Sequence, residues 1–344
     1  MKRTSAWLVR PFEDSGIAPI GLGVGVALGY PLFVGLVHLF AIATIGEVEL
    51  PFGPTRYAGS VLVNGTLLGL LLGGHAAFYQ GTVADLEQLR PALSGSDDDF
   101  GRLKRDMLSL SRSTRWLVTT GGMIGGLAVA TLDPALDELY SHIGRMDPRY
   151  LVYIVGNMFF GALIARLVAT EIHLTRSYAR LGERVEVDLL DLSKVLVFAR
   201  KGLRSLVLWV LISSVFSLFW VLDSAAQINS FLPIAILILA TMALIAPTLG
   251  IHRSIRDAKA NELDHVAEAI RSERISTLAP RRAGAQPEDA RLGNLIQYQA
   301  FIKSLREWPF DLSIVSRSFL LIVLGAGSWL GGAIVERLLN SLLD

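Results

Sequence analysis

Seven apolar segments, each about as long as a membrane-crossing helix, constrain this chain more than any other feature. A bilayer core about 30 Å thick requires about 20 mostly apolar residues in helical conformation. Only 18% of the 344 residues are charged, compared with about 25% in an ordinary globular domain. We therefore predict an all-α, polytopic membrane protein with seven transmembrane helices. The predicted spans are Ile17–Ile45, Ala58–Tyr79, Trp116–Leu132, Leu151–Thr170, Leu206–Leu222, Phe231–Ile251 and Leu312–Val335.

The distribution of lysine and arginine predicts the orientation of these spans. Cytoplasmic loops of membrane proteins carry an excess of both residues. If the N-terminus is inside, most of the 32 lysines and arginines fall on the inside, and only Arg56, Arg145, Arg149 and Arg337 fall outside. We therefore predict an inside N-terminus and an outside C-terminus. The composition, rich in glycine, leucine and arginine and without cysteine, favours the cell membrane of a prokaryote.

The predicted inside connections are long, whereas the outside ones are short. Residues 80–115, with a predicted helix from Phe100 to Arg115, and residues 171–204 form two inside loops. Residues 252–311 form a cytoplasmic helical anchor region with a linker at 279–287. Apolar residues recur at helical spacing in these segments, which predicts cytoplasmic extensions of helices four, six and seven. These extensions are expected to pack together beneath the membrane.

The chain then divides into four parts. They are a cytoplasmic N-terminus (1–16), helices one to six (17–251), the anchor region (252–311), and helix seven with a short outer tail (312–344).

A proline-containing element precedes the seventh span. Trp308 and Pro309 lie between the last cytoplasmic helix and the membrane, and Asp311 follows as a candidate cap for the next helix. Proline lacks a backbone N–H and disfavours helical geometry at the residue before it. The element therefore predicts a break. This break is either a structural elbow or a hinge that joins the cytoplasmic region to a gate helix.

Glycine-rich stretches occur in three of the spans. In the first and third spans, glycines four residues apart favour close helix packing. These are Gly21, Gly25 and Gly29 with Gly23, and Gly121, Gly122, Gly125 and Gly126. In the seventh span, small and polar residues interrupt the apolar run, and they are candidates either for packing or for lining a pore or gate. These pore candidates are Gly325, Ser328, Trp329, Gly331 and Gly332.

Ionisable residues inside membrane spans are candidates for function. His38, His75, Arg166 and Glu171 are the intramembrane polar candidates, with hydrogen bonding to a neighbouring helix as the simpler interpretation of the histidines. Glu171 and His173 point about 200° apart on a helix, so no metal site is predicted. No catalytic signature is present, so an enzyme is not expected and no cofactor is implied. A net charge of +1 argues against nucleic-acid binding.

This arrangement resembles the insect odorant and gustatory receptor superfamily in topology. The resemblance covers the whole chain, but that family's aromatic and glutamine signature is absent from residues 312–343. Gln297–Arg306 correspond to the cytoplasmic half of the family's last helix, and Leu312–Val335 correspond to its membrane half. The resemblance implies a ligand-gated cation channel, usually a tetramer, whose last helix lines the pore.

Three functional classes follow from the sequence. The first is a homo-oligomeric channel-like protein, with itself, the bilayer and a small ligand or ion as partners. The second is a secondary transporter, which requires a polar site at the membrane midplane. The third is a membrane sensor or scaffold that recruits a cytoplasmic partner.

Overall fold

The computed structural model describes most of the chain as helix. It covers residues 18–46, 53–93, 96–132, 148–219, 231–278 and 289–310, with 316, 317, 319–321, 323 and 327. Within these ranges there is no β-strand, so the all-α prediction is confirmed. The helices are α1 (Pro19–Ile45), α2 (Gly53–Leu89), α3 (Asp97–Leu108), α4 (Arg112–Leu132), α5 (Pro148–Gly182), α6 (Leu196–Phe216), α7 (Phe231–Ile245), α8 (Leu249–Leu278) and α9 (Asp289–Ser304).

Four helical segments in the described residues are long and apolar enough to cross a membrane. They are Pro19–Ile45, Tyr57–Ala92, Pro148–Gly182 and the combined α7–α8 segment Ala235–Ile275. They coincide with the first, second, fourth and sixth predicted spans. Helices α4 and α6, each 21 residues long, form at the third and fifth. Most of the seventh lies outside the described residues, so seven crossings and their orientation stay predictions.

The segment predicted as the loop 80–115 is largely helical. Helix α2 continues past the predicted end of its span to Leu89, so the second span also has an extension, which was not among the predicted ones. A reciprocal capping box between Ser96 and Asp99 starts α3, which ends at Leu108. The prediction of one helix from Phe100 to Arg115 is wrong, because the cap lies earlier and residues 109–111 separate α3 from α4.

The predicted sixth span is interrupted. A 3-10 helix, Ala246–Thr248, separates α7 from α8. Pro247 has no N–H to donate to the carbonyl four residues earlier, so the helix tightens at this point. The Thr248 hydroxyl donates to the Ile245 carbonyl at 2.7 Å, within the same turn. The sixth predicted span therefore contains one 3-10 turn, although the sequence predicted a regular α-helix.

Glycines allow close approach of α1 to α2, as predicted for the first span. A Cβ atom on Gly69 would overlap the carbonyl oxygen of Gly23, and a Cβ on Gly73 would lie 3.0 Å from the Pro19 carbonyl oxygen. Gly25 and Gly29 have no atom within 4 Å of such a Cβ. Only part of the glycine series in the first span therefore contacts α2.

Helix α4 packs against α5 through one of its two glycine pairs. A Cβ on Gly122 or Gly126 would overlap the backbone of α5, whereas Gly121 and Gly125 have no atom within 4 Å. The prediction of close glycine packing in the third span is confirmed for Gly122 and Gly126. The other two glycines lie on a different face of the helix.

The buried core lies among α2, α5, α6 and the α7–α8 junction. Its largest fully buried side chains are Trp209, Tyr178, Phe198, Lys201, Leu67, Leu71, Leu86, Leu89, Leu163, Leu167, Leu181 and Leu206. The presence of a lysine among them is unusual, because charged side chains are almost never fully buried unless they are paired. This lysine leads to the site described next.

The predicted cytoplasmic extensions pack against one another. The extension of α5 contacts the start of α8, where the Ser254 hydroxyl donates to the Gly182 carbonyl at 2.9 Å. Helix α9 packs along α8, and the Tyr298 hydroxyl donates to Glu262 at 3.0 Å. Helix α9 ends at Ser304, and residues 305–310 are not helical, which is the break expected before Pro309.

Candidate functional site

Charged and polar side chains occupy the buried faces of α2, α5 and α6. Asp85 on α2, Glu171 on α5 and Lys201 on α6 are each no more than 3% exposed. An ionised side chain in the interior of a helical bundle is costly unless it is paired and hydrogen-bonded. Each of these charged side chains therefore needs a partner of opposite charge or a hydrogen-bonding group from a neighbouring helix.

Glu171 is the acceptor at the centre of the first half of the site. The Lys201 ammonium donates to its Oε1 at 2.7 Å, and the Ser205 hydroxyl donates to its Oε2 at 3.1 Å. The Thr175 hydroxyl donates to Oε1 at 3.1 Å. Lys201 also donates to the Ser205 oxygen at 2.6 Å, across one turn of α6. Three donors therefore converge on this one carboxylate.

Asp85 forms the second half of the site. The Tyr178 hydroxyl of α5 donates to its Oδ2 at 2.7 Å. The Arg204 guanidinium of α6 forms an ion pair with the same oxygen. Asp85 therefore joins α2 to both other helices. Together with the Glu171–Lys201 pair, this gives a charge-balanced set of two acids and two bases, which we call the acid–base network.

Aromatic rings surround the Lys201 ammonium. Its Nζ lies 5.1 Å from the ring centre of Phe78 and 6.0 Å from that of Tyr178. Both distances are within the range of cation–π attraction. Burial lowers the pKa of Lys201 below its ordinary value, and the charge of Glu171 and its hydrogen bond oppose that shift. The partners of the lysine therefore oppose the desolvation cost of its burial.

Gly81 leaves the space that the Arg204 guanidinium occupies. A Cβ on Gly81 would lie 2.6 Å from Nη1 of Arg204 and 2.7 Å from Cζ. Gly81→Ala is therefore expected to displace the guanidinium from Asp85, and the loss of this contact to a buried carboxylate should cost about 1–3 kcal/mol of stability. Thermal unfolding in detergent measures this effect. Gly101→Ala on α3, where the nearest atom would be 3.9 Å away, is the matched control. Equal melting temperatures for the two variants would contradict the packing argument.

The structure brings three of the four intramembrane polar candidates into the bundle. His75, Arg166 and Glu171 are all buried. Nδ1 of His75 donates to the Leu71 carbonyl of its own helix at 2.9 Å, so the expected bond to a neighbouring helix is not formed at this atom. His38 is half-buried on α1, and its ring lies 5.7 Å from that of Tyr57. It is apart from the acid–base network.

The predicted hinge residues lie where α9 ends. The Trp308 ring stacks on His252 of α8 with ring centres 4.1 Å apart, and Pro309 is buried. Whether this element is a hinge stays a prediction. Asp311 and the pore candidates Gly325, Ser328, Trp329, Gly331 and Gly332 lie outside the residues whose side chains the structure describes.

Asp85, Lys201 and Arg204 were not among the predicted site residues, since both basic residues were counted as inside-loop charges and the acid was not singled out. Two signals were available. Lys201 and Ser205 are spaced one turn apart at the start of an apolar helix. Asp85 is followed by Leu86 in a segment without helix breakers, which indicates that α2 continues. Neither signal identifies the partner across the bundle.

Comparison with protein-family models, with curated proteins and with solved structures finds no match for this chain. The function is therefore inferred from the geometry of the site.

Proposed function

We propose that the protein is a homo-oligomeric, channel-like membrane protein in which the last helix lines a pore and the cytoplasmic helices set its position. The proposal includes seven crossings, an inside N-terminus and an outside C-terminus in a cell membrane. The topological resemblance favours assembly as a tetramer and gating by a small ligand. The same resemblance favours a cation as the ion that the channel conducts. The support comes from the contacts around the break between α9 and the seventh predicted span.

Helix α8 holds this break from one side. Nδ1 of His252 donates to the Glu307 carbonyl at 3.0 Å, beneath the stacked Trp308 ring. About two turns along α8, the Lys259 ammonium donates to the Leu305 carbonyl at 2.8 Å and to the Lys303 carbonyl at 3.1 Å. These contacts satisfy one carbonyl in the last turn of α9 and two in the non-helical segment that follows it. The set of His252, Lys259 and the segment 303–308 is called the elbow clamp below.

The elbow clamp is connected to the membrane part of the bundle. Helix α8 follows α7 through the turn at Pro247, and its first residues press on α5, where a Cβ on Gly182 would lie 3.0 Å from the Gly250 carbonyl carbon. A shift of α7 or α5 therefore moves the residues that hold the start of the last span. This is the mechanical connection that a cytoplasmic gate requires.

Trp308→Ala is expected to alter ion flux, because it removes the ring that fixes the elbow against α8. We expect flux through reconstituted liposomes to change by at least about fivefold, the lower end of typical coupling between two sites. Trp116→Ala is the matched control, since Trp116 is 64% exposed on α4 and touches no part of the clamp. Equal flux in the two variants and the wild type would contradict a role for the clamp in gating.

A secondary transporter is the second candidate, and the acid–base network favours it. Buried ionisable residues are a feature of transporter sites, and the 3-10 turn at Pro247 weakens the regular hydrogen bonding of the sixth predicted span. Substrate uptake that requires a proton gradient would support this candidate. Single-channel currents in a planar bilayer would exclude it and support the channel.

A further inference from the structure

The elbow clamp contains one histidine, His252 of α8. Histidine is the side chain that ordinarily gains or loses a proton between about pH 5 and 8. Nδ1 of His252 donates to the Glu307 carbonyl at 3.0 Å. A carbonyl oxygen only accepts, so Nδ1 keeps its hydrogen and Nε2 is the nitrogen that can take up a proton. Nε2 has no hydrogen-bond partner within the described part of the chain, and the residue is half-buried, so protons from water can reach it.

The indole ring of Trp308 lies flat on the His252 ring. The ring centres are 4.1 Å apart, and the two planes meet at 13°. Phe310 stacks on the same indole with ring centres 5.9 Å apart, and it packs against the buried core. A cation within about 6 Å of a tryptophan ring centre is attracted to the face of the ring. A proton on Nε2 therefore adds an attraction between α8 and the elbow, which corresponds to about two- to fivefold in an equilibrium constant at a partly exposed site.

Glu307 adds to this attraction through two groups. Its carbonyl accepts the hydrogen bond from Nδ1, and a charged donor makes a stronger hydrogen bond than a neutral one. Its carboxylate lies 3.4 Å from the Lys259 ammonium, on the side of the elbow that contacts α8. Both groups belong to the elbow, as the Trp308 ring does. A positive charge on His252 is therefore stabilised only while the elbow lies against α8, and this is the difference between two states that a switch needs.

The other charged groups around His252 do not reverse this preference. Those on α8 itself act in both states, because they move with His252. The cations at the end of α5, on α9 and in the elbow are exposed, so water and salt screen their charge. The acid after α5 already pairs with a cation of α8 at 3.3 Å. These groups are Arg253, Arg256, Asp257 and Lys259 on α8, Arg180, Glu183 and Arg184 at the end of α5, Lys303 on α9, and Arg306 in the elbow.

We propose that the elbow clamp is a proton-operated switch, in which a proton on Nε2 of His252 tightens the contact with Trp308 and Glu307. Hydronium from the water around α8 and α9 supplies the proton, which forms an N–H bond and returns to water when the pH rises. The closed elbow is therefore favoured below the pH range in which histidine titrates, and this advantage is lost as the pH rises through that range. The switch belongs to the clamp, whereas its effect on ion flux rests on the proposed channel.

Hydrogen exchange of the elbow tests the proposal. The full-length protein in lipid nanodiscs is exchanged at about pH 5.5 and at about pH 7.5, on either side of the ordinary titration of histidine. Exchange of residues 303–308 is divided by that of an unstructured peptide of the same sequence, which removes the direct effect of pH on exchange. We expect the protection of the wild type to be at least about threefold greater at the lower pH.

Two histidine variants identify the group that responds. His252→Gln should be protected equally at both pH values, since its amide can still donate to the Glu307 carbonyl but carries no charge. His265→Gln is the matched control, because His265 is exposed on the same helix and lies outside the clamp. It should keep the wild-type response.

Trp308→Leu keeps the proposal testable if His252→Gln does not fold. Leucine is apolar but has no ring face that attracts a cation, so most of the pH response should be lost. Equal protection of the wild type at both pH values would overturn the proposal, and so would a response of wild-type size in His252→Gln or in Trp308→Leu. Ion flux and oligomeric state, measured on the same preparation, report separately on the proposed channel, because protection of the elbow does not depend on conduction.

Discussion

Lys201→Met is expected to destabilise the protein by about 3–5 kcal/mol, because it leaves Glu171 as an unpaired charge in the bundle interior. The lysine is 1% exposed, and it supplies the shortest contact to that carboxylate. Methionine has a similar length and fills the same space, so lost packing contributes little. The measurement is the free energy of unfolding from denaturant titration in mixed micelles.

Two controls separate loss of the charge pair from a general effect of methionine. Lys194→Met, at an exposed position before α6, should change the free energy of unfolding by less than about 0.5 kcal/mol. The double variant with Lys201→Met and Glu171→Gln should recover most of the lost stability, since it removes the unpaired charge. If the single variant at Lys201 is as mild as the one at Lys194, the acid–base network does not hold the three helices together.

Gly126→Leu is expected to separate α4 from α5. A Cβ on Gly126 would overlap the Asn157 carbonyl oxygen, and backbone at this position cannot move aside as a flexible side chain could. Overpacking of this kind costs about 1–3 kcal/mol or more. We expect a lower melting temperature in detergent and faster proteolysis of the segment between the two helices.

The neighbouring glycine provides the control. A Cβ on Gly125 would have no atom within 4 Å, so Gly125→Leu adds an apolar side chain to an open surface. Its melting temperature should equal that of the wild type. If both variants melt together below the wild type, helix flexibility and not the contact with α5 explains the need for glycine.

The helices could be predicted from the sequence because apolar length and the lack of breakers are local properties. No proline occurs between the predicted end of the fourth span and Gly182, so the continuation of α5 could be predicted. The break near Pro309 could be predicted because proline has no backbone N–H to donate. The 3-10 turn at Pro247 was not predicted, because the residues on both sides of the proline are apolar and form one uninterrupted hydrophobic run.

The acid–base network could not be predicted, because its members come from helices far apart in the sequence. Asp85 and Arg204 are 119 residues apart, and Glu171 and Lys201 are 30 apart. The excess of basic residues expected on the inside of a membrane protein is the same whether a given lysine or arginine lies in a loop or in the buried core. Only the packing of α6 against α2 distinguishes them.

The sequence also could not predict which glycines of α4 would contact the neighbouring helix. The four glycines of α4 form two pairs with the same spacing, and each pair fits the small-residue pattern of membrane helix contacts. Their two faces differ only in which one meets α5. The same holds for α1, where Gly23 contacts α2 and Gly25 does not.

An image of the particle in lipid nanodiscs is the decisive test of the proposed assembly. Electron cryomicroscopy at a resolution that separates helices should show a symmetric homo-oligomer with seven membrane-crossing helices in each subunit. The last helix of each subunit should lie next to the symmetry axis, with α8 and α9 together on the cytoplasmic side. A monomer, or an oligomer whose last helix lies at the lipid-facing edge, would contradict a pore lined by that helix.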